Sequence, residues 1–258
     1  MEENQTIEDH KTENLILEGR KAVLEALNHD KPIDRILLRR DGTKPVEGTL
    51  RMIAAKARER RLVVQETDRA KLDALSETGH HQGVIALCPA VPYFEVDEIL
   101  DIARERGEPP FVLVLDGVTD PHNLGAVLRS ADAGGVHGVI IPKRRAVGLT
   151  GTVAKTSAGA LSHVPVARVG NINRTLEQLK NAGLWIACAT MDGTSIFETD
   201  LSGPIALVLG AEGEGVSRLV AENSDFAVSI PMRGKIASLN VSVAAGILIY
   251  EVVRRRMK

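Results

Sequence analysis

The feature that most constrains the fold is a series of short apolar runs in the second half of the chain. These runs are rich in β-branched residues and alternate with helical stretches; they read FVLVL, GVIIP, VPVAR, LWIACA, IALVLG and FAVSIP. Continuous apolar runs of this length are typical of strands buried on both faces, as in parallel sheets covered by helices. Residues 111–258 are therefore predicted to form an α/β domain with a mostly parallel sheet, ending in a helix from about Ser238 to Arg256.

A smaller α/β domain is predicted at 15–90, where helical and strand patterns alternate. The helices are GRKAVLEAL, TLRMIAAKARER and DRAKLDAL, and the strands are DRILL, LVVQ and GVIALC. Prolines bracket a short amphipathic helix in 91–110, which indicates a linker. Residues 1–14 are acidic and polar and are predicted to be a disordered tail. A chain of 258 residues is long enough for two such domains.

Composition excludes several classes of protein. No apolar run approaches the roughly 18 residues of a membrane span, and the first residues lack the basic and apolar pattern of a secretory signal. A cytoplasmic protein is expected. Cys88 and Cys188 each lie in an apolar run, which favours two buried thiols over a disulfide, and the scattered histidines predict no metal site.

The charge distribution leaves nucleic-acid binding open. The net charge is −2, but the acidic tail offsets a body that is mildly basic, with many arginines between Arg35 and Arg61. Such a cluster can follow phosphates, while a run like KARERR on a helix is also typical of a solvated face.

Familiar catalytic motifs are missing from the sequence. It contains no phosphate-binding P-loop, no Gly-x-Ser-x-Gly elbow and no His-Glu-x-x-His helix. This argues against a P-loop nucleotide hydrolase, a serine hydrolase and a zinc metalloprotease. The strand FVLVL is followed by DGVTDPHNLG rather than Gly-x-Gly-x-x-Gly, which argues against a dinucleotide-dependent oxidoreductase.

Three other segments combine polar residues with strand ends. The loop Gly210–Gly215 follows the strand IALVL, and its two glutamates would repel a pyrophosphate while tolerating a cationic ligand. NLGAVLR follows the first strand of the domain, with Asn123 near a helix N-terminus. IPM precedes SLNVSVA, which places Asn240 one turn inside the predicted last helix, where a buried amide needs partners.

In this order and spacing, NLGAVLR, LVLGAEGEG and IPM with SLNVSVA resemble the three motifs of the SpoU (TrmH) family of RNA ribose 2′-O-methyltransferases. The resemblance covers 111–258. The preceding domain, with GRKAVLEAL and HQGVIA, resembles the L30e-like substrate-binding domain of the ribosomal-RNA branch, and DGVTDPHNLGAVLRSADAGGVHGVIIPK is similar to enzymes that methylate a guanosine in 23S rRNA. The family resemblance implies a trefoil-knotted domain, S-adenosylmethionine as cofactor and a homodimer.

Site residues follow from the same resemblance. Positions associated with catalysis and RNA placement are Asn123, Arg129, Glu212, Ser238 and Asn240. Positions that would cradle the cofactor, largely through backbone groups, are Thr190, Leu209, Gly210, Ile230, Met232 and Leu239. We expect Glu212 to hold Arg129 or Asn123 in place. Residues of the first domain that are candidates for RNA contact are Arg39, Arg40, His81 and Gln82.

Two alternatives share most of these features. One is the same chemistry on tRNA, because the catalytic motifs are common to both branches and the first domain is what favours rRNA. The other is an RNA-binding module without catalysis, which measurable methyl transfer would exclude.

Overall fold

The computed structural model describes residues 15–40, 48–236 and 238–257. These residues form two compact units. The first unit contains the described residues up to Pro92 together with Gly148–Thr152, and the second contains Tyr93–Val147 and the residues from Val153 onward. The tail predicted at 1–14 lies outside the described residues.

The first unit is a sheet with helices on both faces. Its elements are β1 (Leu15–Glu18), α1 (Arg20–Asn28), β2 (Arg35–Arg39), α2 (Gly48–Glu59), β3 (Val63–Thr67), α3 (Arg69–Leu75) and β4 (Val84–Cys88). Its described strands form a sheet of order β1-β4-β2-β3, in which β4 is antiparallel to β1 and β2, and β3 is parallel to β2. The sequence pattern did not predict β1.

Alternate residues of β2 face two different cores. Ile36 packs in a cluster with Val23 of α1 and Ile53 of α2. Leu37 points to the other face and packs in a cluster with Leu72 of α3. Because successive side chains of a strand point to opposite faces, the run RILLR is apolar throughout its middle rather than alternating.

The second unit contains the parallel sheet. Its elements are α4 (Val96–Arg106), β5 (Phe111–Asp116), α5 (Pro121–Ala133), β6 (Gly138–Pro142), α6 (Gly151–Thr156), a 3₁₀ turn (Ala160–Ser162), β7 (Val166–Val169), α7 (Ile172–Asn181), β8 (Trp185–Ser195), β9 (Ile205–Gly210), α8 (Arg218–Glu222), β10 (Phe226–Ser229) and α9 (Val241–Arg256). Over the described strands the order is β10-β8-β9-β5-β6-β7, and every neighbouring pair is parallel. The predicted α/β fold is confirmed.

Helix α4 belongs to the core of the second unit. It lies in the segment 91–110, which the sequence indicates as a linker. Its Ile99 and Leu100 are buried in one cluster with Val112 of β5 and Ile140 of β6. The division between the units falls between Pro92 and Tyr93, so most of this segment is structural for the parallel sheet.

Helices α5 and α9 approach each other closely. A Cβ on Gly134, which follows α5, would lie 2.2 Å from Cγ2 of Ile249, and a Cβ on Gly246 would lie 3.7 Å from Oγ of Ser130. Helix α9 begins at Val241, three residues later than predicted. Gly134 is therefore needed where the side chain of Ile249 packs against it, whereas Gly246 has room for a Cβ in ordinary contact with Ser130.

The arginines that end α9 bind protein groups. Arg254 and Arg255 both donate to the buried carboxylate of Glu251, and the hydrogen bond from Arg254 is the largest influence that lowers the pKa of this carboxyl to about 2. Arg256 donates to the carbonyls of Pro109, Pro110 and Gly203. The sequence predicts this basic end only as a complement to the helix dipole; the structure adds specific partners.

Both cysteines are buried free thiols, as predicted, and burial raises the pKa of Cys88 to about 11. Within the described ranges, no helix is both long and apolar enough to span a membrane. Among the residues that the structure describes, no group of three or more His, Cys, Asp or Glu side chains could hold a metal ion.

Candidate active site

The candidate site lies where the strands of the parallel sheet end, which we call the carboxyl edge. Strands β5, β9, β8 and β10 are consecutive neighbours in the sheet, and all run in the same direction. The segments that follow them must therefore emerge at one edge. In open parallel sheets this edge is the usual place for a ligand, and all three sequence motifs begin there.

Asn123 lies in the first turn of α5. The helix has Asp120 as its N-cap, which accepts a hydrogen bond from His122 N, and Pro121 as its first residue. A proline suits that position because its fixed φ is helical and it lacks the N–H that would otherwise need a partner. Asn123 is thus not the cap, and its amide is available for contacts with other segments.

Asn240 is the N-cap of α9, which corrects the prediction that it lies one turn inside the helix. Its Oδ1 accepts from the backbone N of Ser242 at 2.9 Å and from the hydroxyl of Ser242 at 2.6 Å. Ser238, where the sequence predicts the start of the helix, is exposed and lies two residues earlier. A helix that starts at Val241 needs an acceptor at position 240, and asparagine is among the best.

A chain of side-chain hydrogen bonds joins the three motifs. Asn240 Nδ2 donates to Asn123 Oδ1 at 3.0 Å, and Asn123 Nδ2 donates to Glu212 Oε2 at 3.4 Å. The cap contact fixes which end of the Asn240 amide is the acceptor, so its NH₂ group must face Asn123. The orientation of each amide then follows from the previous one, and the chain ends at the carboxylate of Glu212.

Glycines close the loop that carries Glu212. A Cβ on Gly210 would lie 1.9 Å from the carbonyl carbon of Gly215, and Ala211 and Gly215 exchange two backbone hydrogen bonds. Gly213 and Gly215 have φ values of 83° and 70°, which glycine adopts without strain. Gly210 is therefore needed because it leaves room for the returning backbone of its own loop.

Arg129 stands apart from the hydrogen-bonded chain. It is exposed on α5, and among the described residues it has no hydrogen bond or ion pair. Six residues along a helix correspond to about 9 Å of rise and about 120° of rotation, so Arg129 and Asn123 face different directions. The structure therefore pairs Glu212 with Asn123 rather than with Arg129.

The predicted cofactor residues lie at or near the carboxyl edge. Leu209, which is buried, and Gly210 end β9, Ile230 directly follows β10, and Leu239 directly precedes the cap of α9. Met232 is 41% exposed. These positions come from three segments of the chain that the parallel sheet brings to one side.

Thr190 lies in an irregular stretch of β8. Cys188 of β8 pairs with Ala227 of β10, but the next pair joins Thr194 to Val228, so the intervening residues of β8 have no counterpart. Thr190 is half-buried within this bulge. Bulges commonly re-aim side chains beside functional sites.

Three supporting residues were not found from the sequence. Asp116, at the end of β5, accepts from Ser217 N at 2.9 Å and so ties the glycine loop to the sheet. Ser242 orients the Asn240 amide. Gly125 of α5 is required because a Cβ there would lie 1.9 Å from Thr156 Oγ1. A charged residue that directly follows a buried strand was the available signal for Asp116.

Two of the four RNA-contact candidates have structural contacts in the first unit. His81 is buried: its Nδ1 accepts from Gly83 N at 2.9 Å, so the proton of the neutral ring lies on Nε2, which faces Asp73 Oδ1 at 2.8 Å. Gln82 is exposed, and its Oε1 accepts from the N of Arg20 at the start of α1. These contacts favour structural roles, above all for His81.

The other two candidates are Arg39, the last residue of β2, and Arg40, which directly follows it. Arg40 is exposed and forms an ion pair with Glu66, and Arg39 is half-buried. An exposed ion pair exchanges its partner at little cost, so Arg40 is still suited to a phosphate contact.

Residues 110–250 match the SpoU rRNA Methylase family. Residues 16–94 match the family described as RNA 2′-O ribose methyltransferase substrate binding. The two matches together span most of both units.

Similar proteins extend over nearly the whole chain. YacO of Bacillus subtilis (strain 168), named as a TrmH family tRNA/rRNA methyltransferase, is 46% identical over 239 residues, which cover 92% of this chain and 94% of YacO. A protein of Staphylococcus aureus (strain MSSA476) with the same family name is 45% identical over 247 residues, covering 95% and 97%. The fold is similar to the crystal structure of the SpoU methyltransferase AviRb from Streptomyces viridochromogenes in complex with AdoMet, with a TM-score of 0.61, 24% identity and coverage of 99% and 98%.

Proposed function

Since this chain belongs to the SpoU family of RNA ribose 2′-O-methyltransferases, we propose that it methylates a guanosine ribose in 23S rRNA with S-adenosylmethionine as the methyl donor. The observation that carries the proposal is the hydrogen-bonded chain Asn240–Asn123–Glu212. It joins three segments at the carboxyl edge of a parallel sheet, where a ligand and a reacting group can be held together.

The residues at this edge suit a cofactor without phosphates. The glycine loop presents the exposed carboxylates of Glu212 and Glu214, which would repel a dinucleotide and attract a cation. S-adenosylmethionine supplies a methyl group bound to a positively charged sulfur. It would be held largely by backbone groups of six residues: Thr190, Leu209, Gly210, Ile230, Met232 and Leu239.

A ribose hydroxyl is a weak nucleophile at neutral pH and must be oriented and stabilised as negative charge develops on its oxygen. Arginine side chains stay protonated at this pH, so we assign Arg129 to electrostatic binding of the target phosphate and 2′-oxygen. Its exposure and lack of a partner among the described residues leave it free for that contact. Asn123, Ser238 and Asn240 would orient neighbouring groups.

Ribosomal RNA is the favoured substrate because the first unit, which matches a substrate-binding family for RNA 2′-O-methyltransferases, resembles the L30e-like domain of the ribosomal-RNA branch. Such a unit can recognise the shape and phosphates of an RNA loop from which the target nucleotide is splayed out. The choice of a guanosine ribose over that of other nucleosides rests on the sequence similarity of 116–143 to enzymes that methylate a guanosine in 23S rRNA.

The resemblance also implies a trefoil knot and a homodimer in the cytoplasm, which we include in the proposal. Helix α9 supports a dimer because it is apolar on more than its buried side. Val243 and Tyr250 are 51% and 53% exposed and lie seven residues apart on one face, and Met257, which directly follows the helix, is 82% exposed.

The test is to delete the gene in its host and to map ribose methylation across rRNA and tRNA by resistance to alkaline cleavage. Loss of one guanosine methylation in 23S rRNA, restored by the wild-type gene, is expected. Loss of a tRNA methylation instead would contradict the rRNA substrate while keeping the chemistry. Unchanged methylation of both RNAs would contradict the proposal as a whole.

A further inference from the structure

A basic loop follows β6 at the carboxyl edge of the parallel sheet. It consists of Lys143, Arg144 and Arg145, three consecutive cations that none of the motifs includes. Arg144 and Arg145 are exposed, and within the described ranges neither side chain has a hydrogen bond or ion pair. Both guanidinium groups are therefore available to a ligand.

The backbone of the basic loop is anchored at both ends. Lys143 N donates to Val169 O at 2.8 Å, and Lys143 O accepts from Arg168 Nη2 at 3.3 Å. At the far end, Val147 N donates to Val118 O at 3.0 Å. A loop whose backbone is already anchored loses less conformational entropy when it binds a ligand than a loop with a flexible backbone does.

Arg145 has a backbone conformation that its residue type disfavours. Its φ is 55°, in the left-handed region, where glycine or asparagine would be less strained. Backbone requirements alone would thus select a different residue. Strained residues of this kind concentrate at functional sites, so the basic loop is a candidate for one.

The basic loop lies next to the candidate active site. A Cβ on Gly117, directly after β5, would lie 3.9 Å from the carbonyl oxygen of Arg145 and 3.2 Å from Cβ of Ala211. Ala211 immediately precedes Glu212, which ends the hydrogen-bonded chain. Gly117 thus lies between the basic loop and the glycine loop.

We propose that the basic loop binds backbone phosphates of the substrate RNA beside the target nucleotide. The inference rests on the proposed function, since a ribose held at the site brings its 3′ and 5′ phosphates with it. The arginine fork matches phosphate oxygens in a bidentate manner. The contact is independent of base sequence and adds affinity rather than specificity.

The experiment compares two double variants of the full-length protein with equal changes in charge. R144Q/R145Q removes the two exposed cations of the basic loop. R104Q/R106Q is the control, because both arginines are exposed in the last turn of α4, which precedes β5 and so ends at the opposite edge of the sheet. The probe is a short fluorescein-labelled single-stranded RNA, whose binding is followed by anisotropy as the salt concentration rises.

We expect the salt dependence of binding, plotted as log K against log salt, to become shallower by about 0.7 for each lost phosphate contact in R144Q/R145Q only. R144K/R145K should keep the wild-type slope because it keeps the charge. With a 23S rRNA transcript, KM should rise while kcat and the Kd for S-adenosylmethionine stay near wild-type values.

The inference is overturned if R144Q/R145Q, with an unchanged melting temperature, binds RNA with the slope and affinity of the control. Failure of the proposed function has a different signature. In that case the wild-type protein would transfer no methyl group to 23S rRNA, yet the slope of RNA binding would still report on the basic loop.

Discussion

The two sheets of this protein handle polar residues in different ways. In the sheet of the second unit every strand runs in one direction, so the segments after β5, β8, β9 and β10 emerge at one edge and their polar residues meet. In the first unit β4 runs against both of its neighbours, and the connections are divided between two edges. Parallel topology thus concentrates functional groups that a mixed sheet disperses.

The hydrogen bonds of individual polar side chains also differ between the two units. In the first unit, His81 accepts from the backbone N of Gly83, and Gln82 accepts from the backbone N of Arg20, 62 positions earlier in the chain. Asn123 and Asn240 of the second unit bind each other, although they belong to different segments. In these examples a polar side chain of the first unit holds backbone groups in place, whereas one at the carboxyl edge contacts other polar side chains of the candidate site.

The largest effect is expected at Arg129, the exposed arginine of α5. Arg129→Ala should lower methyl transfer by about 10²–10³-fold, the range seen when one group that stabilises transition-state charge is removed. The Kd for S-adenosylmethionine should hardly change. Radiolabel transfer and calorimetric titration measure the two quantities. Arg129→Lys, which keeps the charge but not the planar fork, should recover part of the activity; wild-type turnover in Arg129→Ala would remove this residue from the mechanism.

Truncation separates the two regions directly. Deleting residues 1–92 should leave a folded second unit that binds S-adenosylmethionine, while KM for RNA rises roughly tenfold or more, the equivalent of about 1.4 kcal/mol. Deleting 1–109 also removes α4, including the fully buried Ile99. We expect this second deletion to lower the free energy of unfolding by at least about 3 kcal/mol. Equal melting temperatures of the two proteins would contradict the structural role of α4.

The closure of the glycine loop can be tested with one methyl group. Gly210→Ala places a Cβ against Gly215 and should cost about 1–3 kcal/mol, seen as weaker binding of S-adenosylmethionine in calorimetry. Gly170→Ala is the control, because no other atom lies within 4 Å of its added Cβ. If both variants bind the cofactor like the wild type, the loop is not held as described.

The smallest effect concerns His137, a buried histidine at the opposite edge. Its Nδ1 accepts from Phe111 N, and burial lowers its pKa, against the opposing influence of Glu108 and with Arg106 and Arg256 nearby. The unfolded chain therefore binds this proton at a higher pH than the folded chain does. Stability should fall as the pH drops through about 6.5 towards the lower folded pKa.

Melting curves across this pH range test the effect of His137. His137→Asn keeps an acceptor near the Nδ1 position but cannot titrate, so its melting temperature should depend less on pH than that of the wild type. His163→Asn, at an exposed histidine of the same unit, should retain the wild-type dependence. Identical pH profiles for both variants would exclude His137 as the cause.

Much of the fold could be predicted from local patterns. IALVLG is a strand at the predicted residues, Ile205–Gly210, because a run buried on both faces needs no partner to be recognisable. Strand β1 was missed because its four residues, LILE, become a strand only through pairing with β4. The start of α9 was misplaced because Ser238 and Asn240 are both good caps, and local preference does not choose between them.

By itself, the sequence determined most of the order of strands and helices, the apolar faces that bury them, and the three polar motifs that identify the family. These depend on residue type and spacing along a short stretch of chain. Only the tertiary structure decided which polar groups meet. The contacts of Asn123 join residues 89 and 117 positions apart, and the amide orientations follow from a cap on a different helix. Such long-range pairing is set by the direction of neighbouring strands, a property of the sheet that no short segment carries.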